Sequence, residues 1–300
     1  MNVDFGAIIK RSFEVAWKYK TLWIFGLFAG GGSSFNLDFS GNTDMQSVDS
    51  NFLYDWSRSA GIPDQYIPSD LAVIGVLVAW LLALALLFAI CYLIAQPAII
   101  DGINKITRGG TYTFGTSFSR GADFFWRFFG LTLVGIFTGG VCLMVVVILA
   151  VIATPLSLLL TIPGLFVFGF FFTHTLGLAE ISMVVRDIQI ADAIAEGWRL
   201  VTTNKANCFL LSLIWIGMAI GFAIVFGIAG MIFYFPINLL VYGLTGNLVG
   251  ILLLALFIGL PISLVLGGYT GTFFNSLYVQ FYFQLVEPPQ PIEAIPQTAG

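Results

Sequence analysis

Of 300 residues, 12 are Lys or Arg and 16 are Asp or Glu, so charged side chains make up 9 % of the chain where soluble domains average about a quarter. With 58 % hydrophobic residues and 30 Phe, the chain lacks the polar surface needed to cover a water-soluble globule of this size. The composition excludes an ordinary soluble domain and predicts an all-α polytopic membrane protein, with residues 1–286 as a single membrane domain.

The chain opens on an amphipathic segment. Phe5, Ile8, Ile9, Phe13, Ala16 and Trp17 share one helical face, and Lys10, Arg11, Glu14 and Lys18 occupy the other. Such a helix is expected to lie in the interface, its apolar face at the headgroup boundary and its Trp at the level that suits an amphipathic ring. Charge-free runs then count the spans, because a charge at the centre of a membrane helix costs about 2.5 to 3.5 kcal/mol. Residues 21–37, 71–100, 128–179 and 206–286 carry no charge. At about 20 residues per crossing, the first two runs give one span each. The third gives two, broken at Thr154-Pro155, and the fourth gives two, split at Pro236 and at Tyr242 to Asn247. Six spans are predicted, near 21–36, 71–96, 128–152, 156–178, 207–233 and 248–272, with an acidic external loop at 37–70 and a Pro-rich tail at 287–300.

The sign of the charges played no part in placing these spans, so it tests them independently. Lys10, Arg11, Lys18, Lys20, Lys105, Arg108, Arg120, Arg127, Arg186, Arg199 and Lys205 all fall on one side, and Arg58 alone on the other. Asp38, Asp44, Asp49, Asp55, Asp64 and Asp70 lie opposite the basic loops. Both termini are therefore expected in the cytoplasm of a bacterial cell, the protein being multi-pass in its inner (plasma) membrane. A cleaved signal peptide is the competing reading of the N-terminus, disfavoured by Asp4 and Glu14.

A shift of 109 positions places Phe5, Gly6, Arg11, Trp17, Leu22, Gly26, Phe28 and Gly30 on Phe114, Gly115, Arg120, Trp126, Leu131, Gly135, Phe137 and Gly139. A more diverged copy begins near Ile190, where Ile190, Ala191 and Gly197 match Phe114, Gly115 and Gly121. Signal peptides do not recur in mid-chain, so the sequence reads as three pseudo-repeats, each an interfacial amphipathic helix followed by two spans.

These residues carry a resemblance. The interfacial helix running into Trp17-Lys-Tyr-Lys-Thr-Leu-Trp-Ile-Phe-Gly-Leu-Phe-Ala-Gly-Gly-Gly, with Ala193-Ile-Ala-Glu-Gly-Trp198 ahead of a later span, resembles the membrane domain of glycerophosphoryl diester phosphodiesterases and related uncharacterised six-span bacterial membrane proteins. In those phosphodiesterases the chemistry is attributed to a separate soluble barrel. The resemblance implies the membrane architecture only, since the sequence leaves no room for that barrel.

The residues that could carry chemistry are few. An ionisable side chain within a span is a functional candidate, which singles out His174, with Asn275 as a second intramembrane polar residue. Glu180 follows His174 by six residues, nearly opposite on a helix, and is expected to mark the cytoplasmic end of the fourth span. Gln96, Asn238, Asn247 and Gln280 are expected to bond across helices. Lys10, Arg11, Lys18, Arg120 and Arg127 are candidate contacts for anionic lipid headgroups. Gly26/Gly30, Gly135/Gly139, Gly217/Gly221 and Gly267/Gly271 are small-xxx-small pairs suited to close helix packing or a homo-oligomer. Cys91, Cys142 and Cys208 have no paired spacing, and Asn36 to Ser47 lacks the final Glu of a calcium loop. With no hydrolase, phosphate-binding or zinc motif, neither an enzyme nor a cofactor nor a nucleic-acid partner is expected. Two functions stay open: a scaffold or accessory factor for envelope lipids or partner proteins, and a transporter or permease for a lipid-like or weakly polar substrate.

Overall fold

The computed structural model describes residues 3–30, 70–152, 155–245 and 260–286. The chain divides into two compact units, residues 1–34 with 92–300, and residues 35–91. The acidic loop up to residue 69, the end of the first expected span, residues 246–259 with the start of the sixth expected span, and the tail at 287–300 lie outside the described residues. Among those described, every regular element is an α-helix: α1 (Phe5–Lys18), α2 (Leu22–Ala29), α3 (Asp70–Thr107), α4 (Phe114–Asp123), α5 (Phe125–Ile152), α6 (Pro155–Arg186), α7 (Ile190–Thr203), α8 (Lys205–Thr245) and α9 (Leu260–Val286).

Four stretches are long and apolar enough to cross a membrane: Val78–Thr107, Phe125–Val146, Pro163–Arg186 and Lys205–Ile228. Along them Leu82, Phe137, Leu143, Phe166 and Ile224 stand exposed. A soluble monomer leaves contiguous apolar patches of only about 300 to 600 Å². Whole helices of exposed Leu, Ile and Phe therefore require lipid as their solvent, and the chain is a membrane protein.

The three short amphipathic helices bury the same positions counted from their starts. In α1 these are Ile8, Ser12, Val15 and Ala16; in α4 and its C-cap, Ser117, Gly121 and Phe124; in α7, Ala193, Gly197, Leu200 and Val201. Each occupies a different long helix. On α9, α1 sets Phe13 against Phe273, with ring centroids 4.6 Å apart. On α3, α4 comes so close that a Cβ at Gly121 would overlap the Ile94 carbonyl. On α6, α7 does the same, a Cβ at Gly197 overlapping the Thr175 carbonyl. The residue just before the small one reaches to another helix end in all three. Arg11 Nη2 donates to the Thr107 carbonyl (2.9 Å) at the end of α3, and Arg120 Nη2 donates to Asp187 Oδ2 (3.1 Å) just past α6. Glu196 accepts from the Tyr282 hydroxyl (3.4 Å) near the end of α9, and also pairs with Arg186 (2.8 Å).

Helix α9 is packed on by α1, α2 and α6, and its Phe273, Leu277, Val279 and Phe281 are fully buried. Because protein rather than lipid surrounds much of it, it can carry Thr270, Thr272, Asn275, Ser276 and Gln280, which would be costly facing hydrocarbon. Its crossing with α2 is made by glycine. A Cβ at Gly30 would sit 2.5 Å from Gly271 Cα, and one at Gly268 would sit 2.6 Å from the Trp23 carbonyl. Thr272 Oγ1 shares its one proton between the Leu22 carbonyl across the crossing (3.1 Å) and the Gly268 carbonyl of its own helix (2.8 Å).

Several boundaries differ from the expected ones. Pro155 opens α6 as its first residue, where a missing N–H costs nothing. Pro97 and Pro163, in contrast, sit inside α3 and α6 without interrupting them, and α8 continues through Pro236 to Thr245. Neighbouring groups in a bundle re-satisfy the carbonyl that such a proline frees. Glu180 does not mark the end of a helix: it lies within α6, which runs six residues further to Arg186. Asp101 likewise falls inside α3 and is 6 % exposed, held by Lys105 Nζ (2.6 Å) and the Ser117 hydroxyl (3.0 Å).

Candidate functional site

Polar side chains of the long helices form two groups, one around Gln96 and one around His174. Gln96 on α3 gives both of its amide protons away, one to Glu180 Oε2 (3.0 Å) and one to Asn275 Oδ1 on α9 (3.2 Å). Asn275 in turn donates to the Gly271 carbonyl (2.9 Å), tying the cluster to the glycine crossing. Gln96 Oε1 is buried and receives no hydrogen bond from the described residues. Next to this group, Tyr278 on α9 meets His174 Nδ1 (2.6 Å), and His174 Nε2 meets the Ser212 hydroxyl on α8 (2.5 Å).

Both ring nitrogens of His174 meet hydroxyls, and Ser212 Oγ also lies 3.3 Å from the Cys208 carbonyl of its own helix. The arrangement cross-links α6, α8 and α9. His174 and Asn275, expected as one polar site, thus have separate partner sets on neighbouring positions of the bundle. Sequence reasoning gave His174 no partners; Ser212 and Tyr278 supply them from 38 and 104 residues away. No short-range signal could have found that pairing.

The basic residues divide into two kinds. Lys10 and Lys18 are exposed, Lys18 with its ammonium 5.9 Å from the Tyr19 ring. Arg11 is half-buried at the end of α3; burial pulls its pKa down from the ordinary value, and the nearby Glu14 opposes that. Arg120 and Arg127 flank the Phe124 ring at 4.8 and 5.1 Å and together grip Asp187, Arg127 Nη1 at 2.5 Å from Oδ1. The Arg127 hydrogen bond, with a further contribution from Arg120, holds the Asp187 carboxyl below the usual range. Asp187 sits at φ 55°, in the left-handed region that Asp tolerates better than most side chains. It ties α4 and α5 to the α6–α7 turn.

Two recesses open beside these groups. One, of 570 Å³, is lined by Asp101, Lys105, Thr116, Ser119, Arg120 and Asp123, and mixes both signs of charge. The other, also of 570 Å³, lies between α1, α2, α8 and α9 and is lined by apolar and aromatic side chains, Trp17, Trp23, Phe222 and Tyr269 among them. Among the described residues no three His, Cys, Asp or Glu side chains gather as metal ligands, and Cys91, Cys142 and Cys208 are free thiols. Comparisons with protein families, with curated proteins and with solved structures find no match to this chain.

Proposed function

We propose that the chain is a six-span protein of the bacterial inner membrane, with both termini cytoplasmic, that serves as a non-enzymatic scaffold or accessory factor for envelope lipids or partner proteins. The observation that carries this reading is how the internal polar groups are spent. Glu180, Gln96, Asn275, His174, Ser212 and Tyr278 bond to one another across helices, as cross-helix glue does. A permease that builds its site from unwound segments would break its helices at proline, and the continuity of α3 and α6 through Pro97 and Pro163 supports the accessory reading over that one.

The same proposal holds the nine described helices to be three repeats of interfacial helix, span and span. It is supported by the common buried positions of α1, α4 and α7 and by their cyclic placement on α9, α3 and α6. Kinship with the membrane domain of glycerophosphoryl diester phosphodiesterases belongs to this proposal too. The test is flux: the full chain is reconstituted in vesicles loaded with carboxyfluorescein and containing a fluorescent phosphatidylglycerol. Dye release and lipid flip-flop are expected to stay at the level of protein-free vesicles, and protein-dependent movement of either would overturn the accessory reading.

A further inference from the structure

The recess between α3 and α4 holds more hydrogen-bonding capacity than its own side chains use. Asp101 lines it with a side chain only 9 % exposed, and Oδ2 takes both of its bonds, from Lys105 Nζ (2.6 Å) and from the Ser117 hydroxyl (3.0 Å). Oδ1 receives none among the described residues. A carboxylate oxygen held this far from water without a donor is costly, so the site calls for one. Asp123 lines the same recess, stands exposed, and has no hydrogen bond or ion pair among the described residues.

Donors are left over as well. Lys105 gives one of its three ammonium protons to Asp101, and Arg120 gives one of its five N–H groups to Asp187. The Ser119 hydroxyl is exposed on the same wall. Two carboxylates and two cations thus line a volume of 570 Å³, within the range of about 300 to 1,000 Å³ that small-molecule sites occupy. A ligand that matches this lining carries an ammonium with N–H donors beside an anion. A trimethylated ammonium fits poorly: it has no N–H to give, and it is held by aromatic faces, which the lining does not contain.

The recess also has a level in the membrane. Asp101 and Lys105 belong to the last two turns of the apolar stretch Val78–Thr107. Its 30 residues make about 45 Å of helix, close to the 40 to 45 Å of a bilayer with its headgroups. The last two turns, about 10 Å, therefore lie in the headgroup layer, where the anion at hand is a phosphodiester. We infer that this recess binds the headgroup of one zwitterionic phospholipid with a primary ammonium, its N–H groups on Asp101 Oδ1 and Asp123 and its phosphate on Lys105, Arg120 and Ser119. The inference rests on the lipid-associated role proposed above and names the class of lipid.

Gly115 lines the recess, and a Cβ there would meet nothing within 4 Å, so Gly115→Leu fills the space without pressing on backbone. Gly140 on α5 is equally open and lies outside the recess, which makes Gly140→Leu the matched control. Native mass spectrometry of the full chain, released from nanodiscs of equal phosphatidylethanolamine, phosphatidylcholine and phosphatidylglycerol, reads the outcome. Wild type and Gly140→Leu are expected to retain phosphatidylethanolamine about tenfold over either other lipid. Gly115→Leu and Asp101→Asn should lose that preference, and Asp123→Asn should lower it about threefold. Gly115→Leu and Asp123→Asn disturb no internal bond, so they decide the matter even if Asp101→Asn does not fold.

Equal retention of the three lipids by wild type would overturn the site, as would a preference that survives Gly115→Leu. Excess soluble O-phosphoethanolamine is expected to leave the lipid in place; displacement would assign the recess to a soluble ligand and overturn the lipid as its source. The flux assay above separates this site from the role it rests on. Selectivity for phosphatidylethanolamine together with protein-dependent flip-flop would keep the site and remove the accessory role, whereas silent flux without selectivity would remove the site alone.

Discussion

Gly26 and Gly30 on α2 and Gly217 and Gly221 on α8 have the same spacing, each pair on an apolar helix, yet the structure treats them in opposite ways. At the first pair the backbone of α9 lies against the α-carbons, and no side chain larger than hydrogen fits. At the second pair nothing among the described residues lies within 4 Å of an added Cβ. The motif permits close approach; it does not cause it. What decides is the facing helix. Opposite α2, α9 presents Gly268, Gly271 and Thr272, small residues whose backbones can be approached, and Thr272 adds a hydrogen bond to the Leu22 carbonyl. Across the recess from Gly221 stand Val265, Leu266 and Tyr269, whose side chains hold the helices apart.

The largest expected effect tests this contrast head-on. Gly26→Leu should destabilise the protein by about 3 kcal/mol, since the side chain meets the α9 backbone at Gly268 and Thr272. Gly221→Leu should stay within about 0.5 kcal/mol of wild type. Unfolding in mixed micelles, followed by exposure of the buried Cys208 thiol, measures both. Similar losses for the two variants would mean that α8 is also closely packed and would abolish the distinction.

A smaller effect should follow from cutting the polar strand that leads away from the crossing. Gln96→Leu removes both donors to Glu180 and Asn275 and should cost about 0.6 to 2 kcal/mol in the same assay. Paired with Gly26→Leu it should be non-additive, because Asn275 holds the Gly271 carbonyl at the crossing itself.

The least is expected at Asp187. Asp187→Asn keeps a side chain that tolerates positive φ while discarding the two arginine pairs, and a pair this exposed should contribute less than about 1 kcal/mol. Its folded-state pKa lies below the unfolded one, so the contribution is present above the ordinary carboxylate range and is lost as pH falls through the folded value. The stability gap between wild type and Asp187→Asn should therefore close on acidification, and it should narrow in high salt. A gap that is constant with pH would assign the residue's effect to the turn rather than to charge.

What could be read without coordinates was local. The 3.6-residue pattern of Phe5, Ile8, Ile9, Phe13, Ala16 and Trp17 located α1 but only part of its buried face, for Ser12 and Val15 are buried with Ile8 and Ala16 while Trp17 stands exposed. Pro155 placed the start of α6. Charge proved a poorer guide to helix ends. Glu180 sits inside a long helix with a partner distant in sequence, Gln96, donating to it there, and Asp101 adds Ser117 of α4 to the Lys105 that lies one turn away in its own helix. The same limit hid the His174 network and made the glycine pairs look alike. Both depend on which helix stands opposite, a fact no window along the chain contains.

The seat of α1 and α2 on α9 also sets an order of events. Leu22 and Thr272, joined across the crossing, are separated by 250 residues of chain. At synthesis speeds of about 5 to 20 residues per second, α1 and α2 are made on the order of tens of seconds before the helix that receives them. Until then the backbone face at Gly26 and Gly30 has no mate. The α1–α2 pair must wait or take a provisional partner until α9, made some 250 residues later, locks it into place.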